Sequence, residues 1–144
     1  MINMGFVFSK DENCRSHTGL SLGEFAYLLE LYKIEYEEHM IMLYEKKNWK
    51  KRTRKLWGGR GGKLKTMEHK LFFVLYYLKT YQTYATLWWV FDLEKPKAYE
   101  WISKLLPPLL TTLKKTVWFL QPVLKNWKKS LKNIPKLKIS LLIV

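Results

Sequence analysis

Six side chains between residues 95 and 104 have the types and spacing to grip a polyanion: Lys95, Lys97, Tyr99, Glu100, Ser103 and Lys104. On a helix starting near Lys95 or Pro96 they point outward, because Ala98, Trp101, Ile102 and Leu105 take the inward positions at three- and four-residue spacing. Lysines there can pair with phosphate oxygens or guanine edges, and Tyr99 and Glu100 can touch bases or phosphate oxygens. A second basic set, Lys50, Lys51, Arg52, Arg54, Lys55, Arg60, Lys63 and Lys65, fills the stretch KKNWKKRTRKLWGGRGGKLK from Lys46 to Lys65. One reading is an arm along nucleic-acid phosphates, with Arg60 entering a minor groove; the other is a solvated charge run.

Other chemistry has little to stand on. The single cysteine, Cys14, allows no internal disulfide and fits a reducing compartment. His17, His39 and His69 are scattered, so no zinc site is expected and no cofactor is implied. Ser103, Cys14 and the histidines show no nucleophile–base spacing, so the chain is not expected to be an enzyme on its own.

Charge narrows the partners further. The net +14 favours nucleic acid first and an anionic membrane surface second. It is unevenly placed: residues 1–45 carry −5, residues 46–70 carry +10, residues 71–100 are neutral and residues 101–144 carry +9. No apolar run approaches the ~18 residues of a membrane span, and the N-terminus does not read as a secretory signal. A cytoplasmic, nucleoid-associated protein is expected. With 48% hydrophobic and 16% aromatic residues, the chain can still build a core.

Four helices are predicted to position these groups. Ser21 and Glu24 form a capping box for a helix from Leu22 to Lys47. Its apolar face is Leu22, Phe25, Leu29, Tyr32, Tyr36, Met40 and Leu43; its polar face is Glu24, Glu30, Glu35, Glu38 and Glu45. Four glycines around Arg60 argue against helix there, each costing ~1 kcal/mol relative to alanine. Thr66 caps a central helix over Met67–Lys79, apolar nearly all round at LFFVLYYL. Tyr76, Tyr77, Trp88 and Trp89 read as packing aromatics. Thr83 caps a short helix to about Phe91, Asp92–Glu94 form a turn, and the last helix runs to Leu106, stopped by Pro107 and Pro108. Leu87, Val90, Phe91 and Leu93 complete the inward seam, so the pair reads as a helix-turn-helix. Beyond it, segments 109–120 and 122–133 are Lys-rich, and from Lys136 the β-branched run KLKISLLIV reads as a lone strand.

The stretches TGLSLGEFAYLLELYKIEYEEH (Thr18–His39) and GGKLKTMEHKLFFVLYYLKTYQTYATLWWVFDLEKPKAYEWISKLLPPL (Gly61–Leu109) carry a resemblance. In order, TGLS with its following Phe25, the helix LFFVLYYLKTYQT, the turn FDL and the end WISKLLP resemble the N-terminal region of bacterial insertion-sequence transposases of the DDE superfamily. The likeness covers about 90 residues and rests on the ordered set. It implies an all-α, four-helix helix-turn-helix DNA-binding domain with a long N-terminal helix and a basic, partly disordered C-terminal extension. The implied partner is double-stranded DNA at the element's terminal inverted repeats, with a homodimer or the product of a catalytic frame as possible protein partners and no membrane. Family catalysis lies in a downstream RNase H-like domain whose three carboxylates hold two Mg²⁺ ions. Here no Asp or Glu follows Glu100, so the catalytic domain is expected to be absent. Glu94 at the expected cap, Pro96 early in the recognition helix and Glu100 on its outer face depart from the usual pattern.

The expected organisation is then an N-terminal arm (1–20), a long amphipathic helix (21–47), a basic Gly-rich linker (48–65), a helix-turn-helix core (66–110) and a basic tail ending in an orphan strand (111–144). A first reading frame joined to a catalytic frame by frameshifting, a truncated and degenerate copy, and a gene-calling artefact all fit. Two other function classes stay open: a regulatory or non-specific DNA binder, and an interaction or membrane-surface module using the first-helix stripe and the tail tryptophans Trp118 and Trp127.

Overall fold

The long helix starts where Ser21 predicts. Ser21 Oγ accepts from the Glu24 amide at 3.2 Å, and Glu24 Oε2 accepts from the Ser21 amide at 2.7 Å, a complete capping box. The computed structural model describes residues 2–47 and 62–131, with backbone alone at Lys47, Lys95 and 118–131. Every regular element in that range is a helix: α1 (Met4–Val7), α2 (Asp11–Thr18), α3 (Leu22–Lys47), α4 (Met67–Thr80), α5 (Tyr84–Val90) and α6 (Lys95–Leu131). The chain is thus all-α among the described residues. One compact unit ends at Thr112 and a second begins at Leu113; the packing below concerns the first.

The expected N-terminal arm is instead two helices. Val7 and Cys14 are fully buried, and α2 packs on α3 and α4. Gly19 closes α2 in the left-handed region, at φ 82°, which suits a residue without a β-carbon. Asp11 ties the head to α3: its Oδ1 accepts from the Leu22 amide at 2.8 Å, while its Oδ2 accepts from Arg15 at 2.8 Å.

The core forms around α4. Leu71, Phe72, Phe73 and Val74 have no exposure, as a helix apolar nearly all round requires. The Phe72 ring meets Phe8, Tyr76 and Phe91, with Phe91 5.8 Å away, and Phe73 packs edge-on against Phe91 at 4.8 Å. Burying each such side chain is worth ~1.5–3 kcal/mol. From α3, Phe25, Leu28, Leu29, Tyr32 and Tyr36 join them. Glu35, expected on the polar face, is buried at 9% exposure, because it shares the Leu28–Tyr32 side of the helix.

Two further expectations fail. Pro107 and Pro108 do not stop the last helix, and α6 continues through both to Leu131. The missing prolyl N–H groups deprive only the carbonyls of Ser103 and Lys104, both on exposed residues where water can donate instead. Farther on, Thr111 and Thr112 donate back to the carbonyls of Pro107 and Pro108 at 3.1 and 2.8 Å. The region expected as a basic tail is therefore helical as far as Leu131; the lone strand expected from Lys136 lies outside the described residues. Trp89 is not a packing aromatic, being 72% exposed on the open side of α5.

Candidate nucleic-acid interface

The turn between α5 and α6 is a Schellman motif. The Leu93 amide donates to the Trp88 carbonyl at 2.8 Å and the Asp92 amide to Trp89 at 3.3 Å. Asp92 stands where glycine is usual, at φ 51°, a conformation aspartate tolerates better than most residues. Leu93 is buried and plugs the turn, and Lys95 then opens α6. Pro96 falls in the first turn, where a missing N–H breaks no intrahelical bond.

Burial along α6 follows the expected seam. Ala98, Ile102, Leu105 and Leu109 are buried, joined by Leu87 and Phe91 from α5, with Trp101 and Val90 half-buried. Lys97, Tyr99, Glu100, Ser103 and Lys104 are exposed together on the opposite side. At Lys95 the structure describes the backbone alone.

The exposed face is internally organised. Lys97 Nζ donates to Glu100 Oε2 at 2.9 Å. That bond raises Lys97 above the ordinary lysine range and lowers Glu100 below the ordinary carboxylate range, so the pair is ionised at neutral pH. The negative charge of Glu100 is thus matched within one helical turn. Tyr99 packs edge-on against Tyr84 at 5.6 Å, and Tyr84 stacks on Tyr77 at 5.7 Å. Hydrogen bonding with Tyr77 raises the Tyr84 hydroxyl above the usual phenol range. The Lys104 ammonium lies 6.0 Å from the Trp101 ring centre.

Of the basic strip, Lys63 and Lys65 are described and exposed; Lys50, Lys51, Arg52, Arg54, Lys55 and Arg60 lie outside the described residues. Lys63 reaches the turn itself, donating to the Asp92 carbonyl and, at 2.6 Å, to Asp92 Oδ2. That interaction holds the Asp92 carboxyl below its ordinary range. An open cleft of about 550 Å³ results, lined by Gly62 and Lys63 on one side of the sequence and by Leu93, Glu94, Lys97, Glu100, Trp101 and Lys104 on the other. Sequence reasoning missed Asp92 and Gly62 as parts of this surface. Twenty-nine residues separate Lys63 from Asp92, and no local pattern links them.

Among the described residues no three His, Cys, Asp or Glu side chains gather in a group suited to a metal ion, and no helix is long and apolar enough to cross a membrane. Comparison of the chain with protein-family models, curated proteins and solved structures finds no match.

Proposed function

We propose that this chain binds duplex DNA through the α5–turn–α6 unit, with the first turns of α6 in the major groove and the basic strip along the phosphates. The observation that carries the reading is the division of α6. Immediately after a tight turn plugged by the buried Leu93, Lys97, Tyr99, Glu100, Ser103 and Lys104 are exposed on one side, while Ala98, Ile102 and Leu105 are buried on the other. A recognition helix needs that separation, because the seam must hold the helix rigid while polar groups meet phosphates and base edges. The partial positive charge at a helix N-terminus adds to the attraction for phosphate.

The transposase resemblance supplies the target: terminal inverted repeats of an insertion element, bound by a non-catalytic DNA-recognition part, alone or with a catalytic partner. The test is binding of the purified chain to a duplex carrying the last ~30 base pairs of a flanking inverted repeat and to a scrambled duplex, across a salt series. A sequence reader prefers the repeat by ~10³-fold or more, and its affinity falls with log salt by ~0.9 per phosphate contact.

The net +14 favours a second reading, a non-specific basic binder with a regulatory role. Equal, salt-sensitive binding to both duplexes would select it.

A further inference from the structure

The end of the basic strip is fastened at three consecutive residues, two of them to the recognition unit and the third in the core. Gly62 lies so close to Trp101 that a β-carbon would meet its Cζ2 at 2.6 Å. Lys63 grips the carbonyl and the carboxylate of Asp92. Leu64 is buried in the core at 4% exposure. The first of these touches the second turn of α6, the second the turn preceding α6, and the third the domain beneath.

Lys63 therefore differs from a solvated lysine beside DNA. An ammonium has three donors, and two of them are committed to one residue. Asp92 is also the carboxylate whose exposure would matter, since it sits in the turn before the recognition helix with its side chain 70% exposed. Unpaired, it would repel nearby phosphates. Its left-handed backbone is held by the Lys63 bond to its carbonyl as well as by the Schellman bonds.

We propose that Lys63 is a positioning residue for DNA recognition: by holding Asp92 it fixes the turn that aims α6 and neutralises the turn's charge, and does not itself bind phosphate. The inference rests on the duplex-binding reading above. It divides the basic residues into those that attract DNA and one that sets how the helix meets it.

The test compares wild type, Lys63→Ala, Lys63→Arg and Asp92→Asn on the repeat and scrambled duplexes over a salt series, after circular dichroism shows that each is helical and melts cooperatively. Asparagine is chosen at 92 because it tolerates the left-handed conformation. Lys63→Ala is expected to lower the repeat-to-scrambled preference by about tenfold, the size of a single base-edge interaction; the unpaired Asp92 carboxylate also weakens both duplexes, but no phosphate contact is lost, so the salt slope changes by much less than the ~0.9 of one contact. Lys63→Arg restores the preference. Asp92→Asn keeps the carbonyl acceptors but removes the charge that offsets the Lys63 ammonium, so scrambled DNA binds more tightly and the slope steepens by up to ~0.9. The ¹³Cγ titration of Asp92 gives a reading without DNA: below the ordinary carboxylate range in wild type, back within it in Lys63→Ala.

If Lys63→Ala weakens both duplexes equally and the slope shrinks by ~0.9, Lys63 binds phosphate and the proposal is wrong. It is equally wrong if Lys63→Ala leaves preference and slope untouched in a wild type that discriminates; the duplex reading then survives alone. If wild type binds neither duplex, that reading fails and takes the proposal with it, whatever Asp92 titrates at.

Discussion

The Tyr32 hydroxyl donates a buried hydrogen bond to the Leu105 carbonyl at 3.1 Å, joining α3 to the third turn of α6 across 73 residues of sequence. This bond links the long N-terminal helix to the element proposed to meet DNA. Tyr32→Phe removes the donor and keeps the ring. The expected loss is about 1 kcal/mol, since the carbonyl loses one partner and no cavity opens. Urea unfolding measures it.

The same residue gives a pH expectation. Burial pushes the Tyr32 hydroxyl far above the usual phenol range, and Tyr36 is raised for the same reason. Between the unfolded and folded values the native state binds more protons, so stability is full below pH ~10 and falls as pH rises beyond it. Tyr32→Phe should show a shallower alkaline decline, with Tyr36 supplying the remainder. Unfolding midpoints between about pH 8 and 11, a window that brackets the ordinary phenol value, check the difference.

Tyr81 ends α4 in the left-handed region at φ 50°, and the residue is 88% exposed. Its ring gains little there, and its β-carbon meets the strain that glycine avoids. Tyr81→Gly is expected to stabilise the protein by about 1 kcal/mol, less the extra freedom glycine gives the unfolded chain. A raised melting temperature is the sign to look for.

Pro107 is exposed and Pro108 buried, so their removal should differ. Pro107→Ala restores a donor to the Ser103 carbonyl and should stabilise by ~1–3 kcal/mol. Pro108→Ala restores a donor to Lys104 but empties part of the core, and the two effects oppose each other. Only the first variant should raise the denaturant midpoint clearly.

Lys97→Ala and Lys104→Ala should each weaken the repeat complex, and where the deleted lysine binds phosphate the salt slope should fall by ~0.9. Glu100→Gln removes the charge that offsets Lys97 and leaves only a weaker neutral acceptor, so scrambled DNA should bind more tightly. Fluorescence anisotropy across a salt series separates these outcomes.

Much of this architecture is local and therefore legible in the sequence. Ser21 with Glu24, Thr66 and Thr83 mark three helix starts, and each side chain makes the capping bond expected of it. The inward seam Leu87, Phe91, Leu93, Ala98, Ile102 and Leu105 is buried as its spacing requires. The misses have different causes. In the head, Asp11 and Glu12 at one end and Arg15, His17 and Gly19 at the other were readable helix signals, but α2 is too short for its apolar residues to show a period. At Pro107 and Pro108 a local rule loses to packing, because Pro108 and Leu109 are held in the core. The Lys63–Asp92 pair depends on chain geometry over 29 residues and leaves no trace in composition.

The most direct test of the central claim places a probe on α6. Cys14 is fully buried, so an introduced cysteine can be labelled selectively. A photo-crosslinker on Ser103→Cys, on the exposed face of α6, is compared with one on Tyr27→Cys, 64% exposed on α3. The expected result is crosslinking of the repeat duplex from position 103, mapped to bases within the repeat, and none from position 27. Crosslinking from position 27, with none from 103, would contradict the placement of α6 on DNA.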